Sequence, residues 1–226
     1  MALSHSPRIV TDGLVLCLDA ANPKSYPGSG TTWTDLSSNG RNATLTNGVG
    51  YSSSNLGSLV FDGIDDYVQV SGTLVTSQAT FISWIKRNGN QSFYSGIVFS
   101  RGTSVSGMNY YSTTNKVGYT WNDSINTYNW DSGLTVPDLT WCMCAVSVSG
   151  SSATAYLCQS SGTTSATNNT SHTSTTLNDI KIGYDDNGAE PRYIKGDVSQ
   201  VSIYNRALTP QEIQQNFKAL RGRFSI

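Results

Sequence analysis

The sequence predicts an all-β fold, a sandwich of two antiparallel sheets followed by one short C-terminal α-helix. Three observations lead there. Short runs rich in Val, Ile, Thr, Phe, Tyr and Trp recur along the chain between clusters of Gly, Ser, Asn and Thr, the spacing of strands joined by turns and not of βαβ units. Most of these runs alternate apolar and polar residues, so each offers one face to a core and one to water. Ser, Thr, Asn and Gly exceed two fifths of the chain while charged residues are 13%, a composition foreign to coiled coils and helix bundles.

The first half predicts strands over Gly13–Asp19, Asn42–Thr46, Ser58–Phe61, Tyr67–Ser71, Thr80–Lys86 and Gly96–Arg101. The second half predicts Met108–Ser112, Lys116–Trp121, Thr140–Val148, Ala153–Gln159, Asp179–Tyr184 and Lys195–Tyr204. In Thr140–Val148 the alternation puts Cys142, Cys144, Val146 and Val148 on one face and Met143, Ala145 and Ser147 on the other. Ser149–Ser152 then turn the chain into Ala153–Gln159 as a hairpin.

The helix is expected at about 210–221. Thr209 fits the N-cap, Pro210 the first helical position and Glu212 the third, a capping box. Ile213, Phe217 and Leu220 form an apolar stripe, and Gly222 is expected to take the left-handed C-terminal position. Lys218, Arg221 and Arg223 complement the carbonyl end of the helix dipole or form an anion patch. With 226 residues the expected organisation is a leader over residues 1–12 and one domain over 13–226.

A net charge of −1 and a pI near 6.0 provide no field to gather nucleic acid or anionic lipid. No apolar run reaches the roughly 18 residues of a membrane helix, and Met1–Gly13 lacks the apolar segment of a signal peptide, so synthesis in the cytoplasm is expected. Cys17, Cys142, Cys144 and Cys158 lack metal or redox spacing and are expected as reduced core residues. A disulfide from Cys158 to Cys142 or Cys144 is the alternative.

No catalytic set emerges. A retaining glycosidase needs two carboxylates about 5–5.5 Å apart, yet the two glutamates, Glu190 and Glu212, fall in a turn and in the capping box. His5 and His172 lie in the leader and a Ser/Thr loop, with no nucleophile elbow. The turn at Gly28-Ser29-Gly30 lacks the Lys and the helix of a phosphate loop. Catalytic residues are therefore expected to be none.

Three clusters have binding chemistry. Asp62, Asp65 and Asp66, and again Asp185, Asp186 and Asn187, gather the hard oxygens that calcium prefers; the same residue types also close turns without metal. Trp121, Asn122, Asp123, Tyr128, Asn129 and Trp130 mix flat apolar faces with polar directors, as a sugar ring requires. The same tryptophans also fit strand alternation as packing residues.

Several stretches carry a family resemblance: Phe61-Asp62-Gly63-Ile64-Asp65-Asp66-Tyr67-Val68, Phe81-Ile82-Ser83-Trp84-Ile85-Lys86, Trp141 ahead of Ala155-Tyr156-Leu157, and the closing Lys195-Gly196-Asp197-Val198 with Val201–Thr209 and Glu212-Ile213. In this order they resemble the LamG-like branch of the concanavalin A-like lectin/glucanase superfamily. The resemblance implies a jelly-roll sandwich, sometimes with a structural calcium at a sheet edge. Ser199 stands where many relatives are acidic, and Cys158-Gln159 where many have Asn-Gly.

Asp12–Asp19, Tyr26–Trp33 and Arg221–Phe224 resemble LamG-like virion proteins of tailed bacteriophages. That narrower resemblance implies a non-enzymatic virion component, a capsid decoration or a fibre or tail-tip protein. Its partners would be other virion proteins, further copies of itself and a host surface glycan. The alternative is a carbohydrate-binding module acting alone or beside a glycoside hydrolase.

Overall fold

The computed structural model describes residues 7–112, 114–188, 190 and 192–226; His5 and the first half of the expected leader lie outside them. The chain runs through β1 (Leu14–Asp19), β2 (Thr32–Trp33), β3 (Ala43–Thr46), β4 (Gly50–Ser52), β5 (Ser58–Asp62), β6 (Tyr67–Val70), β7 (Leu74–Thr76), β8 (Ala79–Arg87) and β9 (Gly96–Arg101). It continues through β10 (Val105–Tyr111), β11 (Lys116–Thr120), α1 (Ile125–Tyr128), β12 (Trp141–Val148), β13 (Ala153–Gln159), β14 (Gly162–Asn168), β15 (Thr175–Leu177), β16 (Ile180–Ile182), β17 (Lys195–Tyr204) and α2 (Pro210–Leu220).

Among the described residues the strands form two large antiparallel sheets. One has eight strands in the order β14-β13-β12-β8-β17-β5-β4 with β1 also on β17; the other has seven, β11-β10-β9-β16-β6-β3-β2; β7 and β15 make a small ribbon. Neighbours in space are distant in sequence, as a jelly roll requires. Thus β17 pairs with β8 on one side and on the other with β5 through Lys195–Val198 and β1 through Gln200–Tyr204.

The alternation read from the sequence decides what each face meets. Cys142, Cys144, Val146 and Val148 of β12 enter the core between the sheets, with Phe81, Ile85, Val198, Val201, Met108, Tyr110, Val68 and Ile182. Met143 and Ala145 point to the opposite face, with Trp84, Tyr156 and Cys158. Cys158 pairs in register with Met143, so a disulfide to Cys142 or Cys144 would have to cross the sheet. That alternative fails on the two-residue period of the strand, and all four cysteines are buried as free thiols.

Helix α2 covers the outer face of the eight-stranded sheet. The expected capping box is present: the Glu212 amide donates to Thr209 Oγ1 at 3.3 Å and the Thr209 amide to Glu212 Oε2 at 2.9 Å. The expectation for Gly222 fails, because the chain leaves α2 in a right-handed 3-10 turn over Arg221–Phe224 and the left-handed residue is Ser225, at φ 56°. The extra turn lets Phe224 stack on Trp84 at 4.4 Å, beside Phe217 at 5.5 Å; each such pair adds about 0.5–1.5 kcal/mol beyond its burial. Arg223 forms a bidentate pair with Asp19 at 2.7 and 2.6 Å, and Arg221 lies over the Phe217 ring.

Residues 7–12 also dock here. Val10 is buried, its amide donates to Asn216 Oδ1 at 2.8 Å, and its carbonyl accepts from the Tyr204 hydroxyl at 2.9 Å. No described helix is long and apolar enough to cross a membrane. With α2 over one sheet, the outer face of the seven-stranded sheet is left to form a cleft.

Candidate functional site

The cleft lies on that outer face, at the β9-β10-β11 end. Tyr110 and Met108 of β10 point inward, so Asn109 between them points outward. Register places Asn109 opposite Gly118 of β11 and Gly96 of β9. Asn109, Arg101 and Thr120 line a cavity of about 270 Å³ with Tyr94, Asp123, Tyr128, Asn187 and Arg192.

One wall is the segment Tyr184–Gly188 together with Arg192, and Tyr184 lies against the sheet at Gly96. A Cβ on Gly96 would lie 2.5 Å from the Tyr184 carbonyl oxygen, so only glycine lets the segment lie this close. Its anchor is Asp185, 1% exposed. Arg101 donates to its two oxygens through Nε at 2.6 Å and a terminal nitrogen at 3.0 Å, and Arg192 donates from the other side at 2.7 Å.

Tyr94 and Tyr128 bring aromatic rings to the lining. Tyr94 meets Tyr128 edge-to-face at 6.3 Å, and the Arg192 guanidinium lies 5.4 Å from the Tyr94 ring centre. The Tyr94 hydroxyl donates to Asn129 Oδ1 at 3.1 Å. Burial among other tyrosines pushes the Tyr94 hydroxyl above its ordinary pKa, so it remains a donor at neutral pH.

The six residues expected to present a sugar platform therefore divide. Asp123 and Tyr128 line the cleft, and Asn129 touches it through Tyr94. Trp121 does not: it is 2% exposed in the inter-sheet core, with its indole N–H donating to the Thr173 carbonyl at 2.7 Å. Trp130 also packs inward, edge-on to Tyr119 at 5.8 Å. Asn122 sits in a left-handed turn at φ 51° and donates to the Ser174 carbonyl at 3.0 Å. A strand places its last aromatic where alternation demands, and Trp121 follows Tyr119 of β11 into the core.

Tyr94, Arg101, Asn109, Thr120 and Arg192 were not among the expected site residues, and Asn187 was expected only as a calcium donor. For Asn109 the alternation Met108 in, Asn109 out, Tyr110 in held a usable signal. Arg101 carried none, because it meets Asp185 from 84 positions away; Asp185 was read only as a calcium donor, and its pairing with Arg192, seven positions on, has no local pattern.

Asp62, Asp65 and Asp66 do converge, at the turn between β5 and β6, with carboxylate oxygens within 4.8 Å of one another. Their turn chemistry is also present: Asp62 Oδ1 accepts from the Ile64 amide at 2.8 Å, and Asp66 Oδ2 from the Asp62 amide at 3.0 Å. Burial holds the Asp66 carboxyl above its ordinary pKa, and the Asp62 and Asp65 charges add to the effect. The remaining oxygens suit a hard cation such as calcium. The second acidic cluster does not, since Asp185 serves two arginines and Asp186 accepts from Lys181 at 3.2 Å and the Tyr184 hydroxyl at 3.0 Å.

Ser199 lies at a bulge where β17 shifts register against β8, and its hydroxyl donates to the Gly57 carbonyl at 2.7 Å. It is buried, so this position supports the fold.

Residues 62–214 match the family described as the concanavalin A-like lectin/glucanases superfamily, in a laminin G type. No curated protein sequence matches the chain. Among solved structures it is similar to domain 4 of AbnA, an extracellular arabinanase from Geobacillus stearothermophilus in complex with arabinotriose. That match has a TM-score of 0.68 and 16% identity and covers 95% of this chain and 100% of that one.

Trypanosoma rangeli sialidase, in complex with the inhibitor DANA, matches with a TM-score of 0.65 and 15% identity over 95% of this chain, which spans only 35% of the sialidase. The binding domain of botulinum neurotoxin serotype D matches with a TM-score of 0.60 and 13% identity over 94% of this chain and 52% of that one. At these identities the likeness is one of fold, a two-sheet jelly roll. The family match, across more than half of the residues, makes this chain a member of the laminin G branch of the concanavalin A-like lectin/glucanase superfamily.

Proposed function

We propose that the domain is a non-catalytic carbohydrate-binding module whose sugar site is the cleft between Tyr94, Tyr128 and the Asp185 ion-pair cluster. The observation that carries the reading is the cleft itself: aromatic rings together with fixed polar groups, on the open sheet face of a lectin-type fold. The arabinanase domain crystallised with arabinotriose supports the same reading. Catalysis finds no support from these carboxylates, since the Asp185 oxygens beside the cleft are taken by arginines and Glu212, on α2 away from the cleft, is paired with Arg206. Binding to immobilised glycans, lost in Tyr94→Ala and Tyr128→Ala variants that still fold, is the test. Undiminished binding in both variants would place the sugar elsewhere.

A second reading concerns where the domain works. The resemblance of Asp12–Asp19, Tyr26–Trp33 and Arg221–Phe224 to tailed-phage virion proteins favours display on a particle, as a capsid decoration or a fibre or tail-tip component. There the partners are other virion proteins and further copies of this chain, and many weak sugar contacts would sum to useful avidity on a host surface. Co-banding with intact particles in a density gradient at fixed stoichiometry tests it; free protein at the top of the gradient would leave the carbohydrate-binding module acting alone or beside a hydrolase.

Calcium at Asp62, Asp65 and Asp66 belongs to the same proposal as a structural ion. The donor set supports it.

A further inference from the structure

We infer that the cleft takes an uncharged sugar ring with adjacent hydroxyls, and that Asn109 is the residue that reads them. The inference rests on the carbohydrate-binding reading above and names the class of ligand.

Asn109 is 2% exposed, and its side chain makes no hydrogen bond to any other described residue; its Oδ1 is buried without a partner. Buried amides are nearly always satisfied, because leaving one unpaired costs its full desolvation. An unsatisfied carboxamide in the wall of a cleft is therefore a group kept for an incoming partner. A primary amide offers both an acceptor and donors. Its complement is a pair of neighbouring hydroxyls, each of which can donate and accept. A carboxylate or sulfate can only accept, and would leave Oδ1 facing another acceptor.

The charges point the same way. Arg101 and Arg192 look at first like an anion receptor, but Arg101 gives Nε and a terminal nitrogen, and Arg192 one terminal nitrogen, to the buried Asp185, while the Arg192 Nε is buried without a partner. Exposed Asp123 lines the cleft and adds a second negative group beside Asp185. Two positive and two negative side chains leave no net field to draw an anion in. The arginines act as a scaffold that holds Asp185 and the neighbouring Tyr184–Gly188 segment against the sheet. A volume of about 270 Å³ is just below the roughly 300–1,000 Å³ of sites for drug-sized ligands, and so suits one ring of a longer glycan.

The intact chain should be applied to an array containing both neutral glycans and glycans with uronate, sialate or sulfate groups, at low and high salt. The expected result is retention on neutral glycans, insensitive to salt, with binding weakened roughly tenfold or more in Asn109→Ala. Because Asn109 has no partner among the described residues, that variant should melt no lower than the parent, so the loss reports on binding and not on folding. Retention only on acidic glycans, falling with salt, would overturn the inference and leave the carbohydrate reading standing. Neutral binding that survives Asn109→Ala would also overturn it. Binding to no glycan at all would remove the carbohydrate reading itself.

Discussion

Arg101 holds Asp185 through two hydrogen bonds, at 2.6 and 3.0 Å, and so ties the Tyr184–Gly188 segment to the sheet. The carboxylate is buried and shared with Arg192 at 2.7 Å. Replacing it by Asp185→Ala leaves two guanidiniums facing each other with little solvent. Breaking a buried pair from one side costs about 3–5 kcal/mol, and urea denaturation should find a loss of that order. A loss below about 1 kcal/mol, the range of exposed pairs, would mean that water screens the cluster and that the cleft wall is not built on it.

His172 gives the fold a pH dependence near neutrality. Its Nδ1 lies 2.9 Å from the Ser149 carbonyl, which can only accept, so Nδ1 carries the proton and Nε2 accepts from the Tyr119 hydroxyl at 3.1 Å. Burial holds the ring below its ordinary value of 6.5, partly offset by the Ser149 bond. The unfolded chain therefore takes up the proton first, so stability is full above the ordinary value and declines as pH falls below it. The melting temperature should drop between pH 7 and pH 5, and His172→Gln, which can keep both bonds, should flatten that slope. An unchanged slope in the variant would assign it to other groups.

Glu212 acts at the acid end. The Arg206 guanidinium, with the Thr209 amide and hydroxyl, brings its pKa from 4.5 to about 2. Its contribution is present above 4.5 and is lost as pH falls toward 2. Glu212→Ala removes half the capping box and a partly exposed ion pair, at a cost of about 1–2 kcal/mol at neutral pH. The gap between variant and parent should close over that acid window in a pH series of denaturation curves; a gap of constant size would show that the charge contributes nothing.

Asp66 has the opposite sign. Its raised pKa means that the native state binds a proton more readily than the unfolded chain, so this group destabilises the fold as pH rises through the carboxylate range. A cation at Asp62, Asp65 and Asp66 would cancel the penalty. Calcium added after chelation should raise the melting temperature, by about 2–4 °C for each kcal/mol in a domain of this size, and Asp66→Asn should mimic part of the gain while losing the response. Identical melting curves with calcium and with EDTA would assign the cluster to turn chemistry alone.

Much of the architecture was legible because strands with one dry face must alternate. Gly96–Arg101, Ala153–Gln159 and Lys195–Tyr204 stand where the sequence placed them. β14 was not legible: Gly162–Asn168 is an edge strand of Thr, Ser, Ala and Asn with both faces largely wet, so nothing in it alternates. β2, β4, β7, β15 and α1, at two to four residues each, are shorter than any periodic signal.

The sequence by itself determined the sandwich, the capped helix and the shared face of Cys142 and Cys144, because these follow from local period and from residue chemistry; the register of β13 on β12 decided that Cys158 lies on the other face. It located the acidic turn at Asp62–Asp66 and half of the aromatic-polar segment that borders the cleft. Only the tertiary structure decided that Trp121 faces the core and that Asn109 is left unpaired. It also decided that Asp185 joins Arg101 to Arg192, beside tyrosines from two different loops. A cleft on a jelly roll is assembled from strands and loops far apart in the chain, and no local pattern records which of them will meet.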